Sequence, residues 1–152
     1  MKNRAAEILR RLSRGACGKR ADAQTVRDAE KALRVSFPED FKAFLSAVGW
    51  CSVGHLEFFG LGRDVPPHLD LVRVTEMERR TRHPSLRADL IPLMNDGAGN
   101  LPSLATAESN GESCPVVFWS HDDPNGENQE PMRIAPDYLT WLSRMLDDLR
   151  AE

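Results

Sequence analysis

Three aspartates and one histidine stand where the chain changes from apolar to polar. Asp96 follows the run LIPLMN and opens DGAGN, while His121, Asp122 and Asp123 follow PVVFWS and open HDDPNGENQE. Carboxylates so placed can act as general acids and bases or ligate a hard cation such as Mg²⁺ or Ca²⁺. An imidazole beside them could serve as a base, and a metal-assisted hydrolase built on Asp96, His121 and Asp122 is the enzymatic reading.

The spacing argues against it. If Gly126 is set at the sixth position of a calcium loop, His121 falls first and Met132 twelfth, where an acidic residue and a glutamate are required. The glycines of Gly97-Ala98-Gly99 are followed by no Lys-Ser/Thr pair, so they do not make a phosphate cradle. The four histidines form no H-E-x-x-H pattern, and no serine sits in G-x-S-x-G. Asp96 then reads as a turn residue. His121 and Asp122, taken as neighbours on a strand end, would point to opposite faces and not pair as a base and its orienter. No catalytic residue, metal ligand or cofactor site is assigned.

What remains is display. Asp122, Asp123, Glu127 and Glu130 gather in residues 121–130, which hold no lysine or arginine. Residues 1–20 are the opposite, with seven Lys and Arg against Glu7 alone. No aromatic interleaves with those arginines and the net charge is −3, which argues against nucleic acid as the partner. Trp119 alternates with Phe118, so one of the two faces the uncovered side of a sheet and could anchor an interface.

The elements that must carry these residues follow from periodicity. Ile8, Leu9 and Leu12 make a helical stripe, and residues 13–22, with two glycines, read as a linker. Thr25 is the expected cap of a helix carrying Val26, Ala29 and Leu33. Pro38 opens another, lined by Phe41, Phe44, Leu45 and Val48 and stopped by Gly49. HLEFFGL at residues 55–61 reads as a strand, residues 69–82 as a helix ended by His83-Pro84. Residues 90–95, 101–107, 115–120 and 132–135 then form an antiparallel meander, and Pro136 opens a final helix carrying Tyr138, Leu142, Met145 and Leu149.

Helices, then strands, then a helix predict a single α+β domain, with the helices packed on a mainly antiparallel sheet. The 152 residues can bury one core unaided. The absence of a long apolar run predicts no membrane span and a cytoplasmic protein. Cys17, Cys51 and Cys114, odd in number and widely spaced, read as buried or incidental thiols.

AEKALRVSFPEDFKAFLSAVGW, then FFGL, LIPLMNDGAGN, VVFWSHDD and DYLTWL, resemble the SUKH superfamily of yeast cell-wall-assembly regulators and bacterial immunity proteins. The resemblance spans about residues 24–149 and leaves the basic segment 1–23 outside it. It implies an α+β domain without catalysis. Bacterial members bind and neutralise a polymorphic toxin, often a nuclease or deaminase, while eukaryotic members are regulatory scaffolds. Glu30, Leu33, Pro38, Asp40, Phe41, Gly49 and Trp50 fall on the family's signatures and imply roles in the fold.

The expectation is therefore a protein partner with a basic surface, met by Asp96, Trp119, His121, Asp122, Asp123, Glu127 and Glu130. Pairing of a sheet edge with a second copy is left open.

Overall fold

A computed structural model describes residues 2–151. Helix α1, Lys2–Leu12, buries Ile8 and Leu12 on one face and packs against α3 (Glu39–Val48) and α5 (Tyr138–Ala151). Each of these apolar side chains contributes roughly 2 kcal/mol by leaving water. Arg4 lies 3.6 Å from Asp137, and Arg11 donates to Asp147 at 2.6 Å. The basic segment is thus bound to the body of the fold.

Residues 13–22 are more than a linker. They contain strand β1, Ala16–Cys17, which pairs antiparallel with β2, Cys51–Val53. The register sets Cys17 opposite Cys51, and the two are joined in a disulfide with Cα atoms 4.0 Å apart, which corrects the reading of both as thiols. Cys114 stays a free, buried thiol whose burial pushes its pKa up to about 12, so it is inert as a nucleophile.

Helix α2, Ala23–Leu33, is capped by Asp22, whose carboxylate accepts from the Thr25 amide at 2.7 Å. The cap falls three residues before the one expected, because an aspartate can reach the free amide at the third helical position. In α3, Phe41, Phe44, Leu45 and Val48 are buried as the spacing predicts, and Gly49 ends it with φ +71°. The Phe41 and Phe44 rings meet that of Tyr138 on α5 at 5.1 and 5.8 Å. Trp141 on α5 is buried as well, edge-on to Phe58.

The expected strand at residues 55–61 is shorter, β3 Leu56–Phe58, and completes a three-stranded sheet of order β1-β2-β3. Helix α4, Leu71–Arg80, starts at Asp70, whose carboxylate accepts from Val72. Arg79 then donates to the carbonyls of Leu33 and Ala88 at 2.9 and 2.7 Å, fixing α4 to the end of α2 and to the chain that enters the second sheet.

That sheet is the predicted meander, with order β4-β5-β6-β7: Leu90–Pro92, Leu101–Ala105, Val116–Trp119 and Met132–Ala135. Every residue of β4 and β5 is buried, so both faces of these strands are covered. A bond from the Phe59 amide to the Leu93 carbonyl at 3.0 Å joins the two sheets, and the α+β class is as expected. Among the described residues no helix is long and apolar enough to cross a membrane.

Candidate functional site

The register of the meander decides which loops meet. Leu101 on β5 pairs with Trp119 on β6, so the residues just before the one and just after the other lie side by side. The turn at residues 95–100 and the loop at residues 120–131 are thereby brought to one edge of the sheet.

The turn uses its polar groups on itself. Asp96 Oδ1 accepts from the amides of Ala98 and Asn100 at 2.8 and 3.0 Å, and Oδ2 accepts from Asn100 Nδ2 at 3.1 Å. Gly97 and Gly99 take φ of +91° and +90°, which only glycine adopts without strain here. The bond to Asp96 fixes which way the Asn100 amide points. Its Oδ1 therefore accepts from the His121 amide at 3.1 Å and lies 2.8 Å from His121 Nδ1. That ring nitrogen accordingly carries the proton, an assignment that follows from the network. A carboxylate does orient His121, then, but it is Asp96 acting through Asn100 and not the adjacent Asp122.

The loop is closed at its base by Gln129, one of the few buried polar side chains. Its Oε1 accepts from the Ser120 amide, and its Nε2 donates to the carbonyls of Ser120 and Gly126, all at 2.9 Å. Asp122 accepts from the Ser120 hydroxyl at 2.7 Å, and this bond, then the neighbouring His121, hold its carboxyl below the ordinary range. Asp123 accepts from the Asn125 amide at 2.8 Å, and Glu127 from the Ser85 amide at 3.3 Å. Asp122, Glu127 and Glu130 are exposed and Asp123 is half-buried. Both His121 and Asp122 lie beyond the end of β6, so strand alternation does not govern them.

Trp119 is buried at 2% exposure and Phe118 is the half-buried neighbour, so the outward aromatic of β6 is Phe118. Phe118 pairs across the sheet with Met132, which is 66% exposed. Trp50 is tied down by a 3.0 Å bond from its indole nitrogen to Asp64.

A trough alongside α4 was not foreseen in the sequence. One cleft of about 430 Å³ lies over Phe59, Leu69, Val74 and Met77. A second, of about 380 Å³, runs on to Trp119 and His121, and the two share Glu78, Arg82 and Asn95. The signal that could have exposed it is the cationic run Arg79 to His83 at the end of the helix. Among the described residues no three His, Cys, Asp or Glu side chains cluster as a metal site requires.

Among the described residues, five α-helices and two antiparallel sheets, with a clamped acidic loop and a trough beside it, make an α+β domain. The chain matches the SUKH_5 family, described as SMI1-KNR4 cell-wall, over residues 3–146 and belongs to it. The match reaches back to residue 3, so the basic N-terminal helix is part of the family's fold. No curated protein matches the chain. A crystal structure of a protein from Pseudomonas syringae pv. tomato is similar, with 21% identity over 76% of this chain and 83% of that one and a TM-score of 0.61. At that identity the likeness is one of fold.

Proposed function

We propose that the chain is a non-enzymatic protein-binding domain, an immunity protein that neutralises a bacterial toxin of the nuclease or deaminase class in the cytoplasm. The observation that carries the reading is the acidic loop. Asp122, Glu127 and Glu130 are exposed and Asp123 half-buried on a segment without lysine or arginine whose base is clamped by buried Gln129. A loop already held in shape loses little freedom on binding, so more of its interaction energy is retained as affinity. Its charge would steer a basic partner, with association approaching about 10⁸ to 10⁹ M⁻¹s⁻¹ at low salt.

Co-expression with the toxin domain encoded beside it tests the proposal. A stable complex and restored growth are expected; no complex and unchanged toxicity would overturn it. The family's cell-wall description favours a second reading, a regulatory scaffold that binds a cellular protein without inhibiting it. An adjacent toxin-like reading frame would favour immunity over this reading.

A further inference from the structure

The trough beside α4 differs in charge from the loop that rims it. Its two carboxylates are engaged within the chain: Glu57 lies 2.9 Å from His68 Nε2, and Glu78, only 19% exposed, lies 3.6 Å from Arg82 Nε. Two of its basic residues, Arg73 and His83, are not. Arg73 and His83 make no side-chain hydrogen bond or ion pair among the described residues, and Arg82, although paired with Glu78, is 60% exposed. The Arg82 guanidinium has five N–H donors, more than its one contact with Glu78 uses.

The floor between these cations is apolar. Phe59 and Val74 lie beneath, and Met77 is 37% exposed, one of two exposed large apolar side chains among the described residues. The far end of the trough is closed by His121, the first residue of the acidic loop. Trough and loop therefore form one continuous surface, acidic along the loop and presenting Arg73 and the exposed Arg82 beside α4.

We infer that the trough receives an extended segment of the protein partner that carries a carboxylate, held by Arg82 and Arg73, with an apolar neighbour seated on Met77. Charge complementarity selects that occupant, since Arg73 is unpaired, Arg82 keeps donors beyond its contact with Glu78, and a guanidinium binds a carboxylate through paired, charge-assisted hydrogen bonds. The inference rests on the reading of the chain as a protein-binding domain and sharpens it. A partner that is basic where it meets residues 121–130 must be acidic some way along, where it meets α4.

The test is a nuclear magnetic resonance titration of the full chain with two blocked pentapeptides, Ala-Glu-Leu-Glu-Ala and Ala-Lys-Leu-Lys-Ala. The acidic peptide is expected to shift the Met77 methyl and Trp119 indole signals with a Kd of about 1 mM, as suits so small a ligand. Arg82→Gln and Arg73→Gln, both at exposed positions, should each weaken it about tenfold. Neutralising the four loop carboxylates should leave its affinity unchanged or higher. Equal shifts with both peptides, or none with either up to about 20 mM, would overturn the inference. That result would leave the loop-based reading standing, because the toxin co-expression reports on it separately.

Discussion

The turn at residues 95–100 and the loop at residues 120–131 are built from the same residue types, leave adjacent strands and touch through Asn100 and His121. They differ in where their carboxylates point. Asp96 takes three hydrogen bonds from its own turn, whereas Asp122 and Asp123 take one each from within the loop. An aspartate whose oxygens are filled locally holds backbone in shape; one with open lone pairs can meet a partner. Residue type alone does not separate these roles, and the count of internal bonds does.

The largest expected effect breaks the loop's side of this contrast. Replacing Asp122, Asp123, Glu127 and Glu130 with Asn or Gln should weaken partner binding by about 3 kcal/mol or more, over a hundredfold, as loss of several interfacial charges does. The thermal midpoint should hardly move, because these side chains are largely exposed. Calorimetry with the toxin domain, beside a melting curve, checks both halves.

Gln129→Ala should come next. It leaves the Ser120 amide and the carbonyls of Ser120 and Gly126 without their partner, at a cost of about 2 kcal/mol in a urea melt. Binding should weaken too, although no charge has been removed, since the loop would then have to be ordered on association. Unchanged binding by this variant would show that the clamp is irrelevant to the surface.

Asp96→Ala should do the reverse of the loop variant. Stability should fall by about 1 to 2 kcal/mol, reduced from the sum of three bonds because the turn is solvent-exposed. Any loss of binding should arise from freeing Asn100 and so His121, and Asp96→Asn should recover part of it.

A third aspartate sharpens the comparison from inside the protein. Asp40, in the first turn of α3, has Oδ1 buried without a hydrogen-bond partner, and burial, then the nearby Asp137, raise its pKa from 3.8 to about 7. The folded state thus holds a proton that the unfolded chain has released, so the contribution of Asp40 to stability is fully present below pH 4 and is lost as pH rises through 7. Asp40→Asn should flatten that slope and stabilise the protein at neutral pH by about 1 kcal/mol, discounted for partial exposure. Urea melts at pH 4.5 and 7.5 measure the difference.

Much of the architecture was legible because it is periodic. The stripes of Val26, Ala29 and Leu33 and of Phe41, Phe44, Leu45 and Val48 need one face out of water, and both are buried. The meander was readable from apolar runs punctuated by Asp-Gly and Asn-Gly. Strand β1 was not, since two residues carry no period and their pairing with β2 is a long-range event. The disulfide was hidden for the same reason: Cys17 and Cys51 are 34 residues apart and become neighbours only through that pairing. The trough escaped because its walls come from β3, α4 and the two loops.

By itself, then, the sequence determined the helices, the four-stranded meander, the family and the acidic character of residues 121–130. Those are local or patterned properties, written in the spacing of apolar residues and the identity of charged ones. Tertiary structure alone decided that Asp96 is bonded within its own turn, that His121 is set by Asn100, that Gln129 fastens the loop and that exposed arginines line a trough beside it. Each depends on strand register and on which hydrogen-bonding groups remain unused after folding, and neither is fixed until distant segments meet.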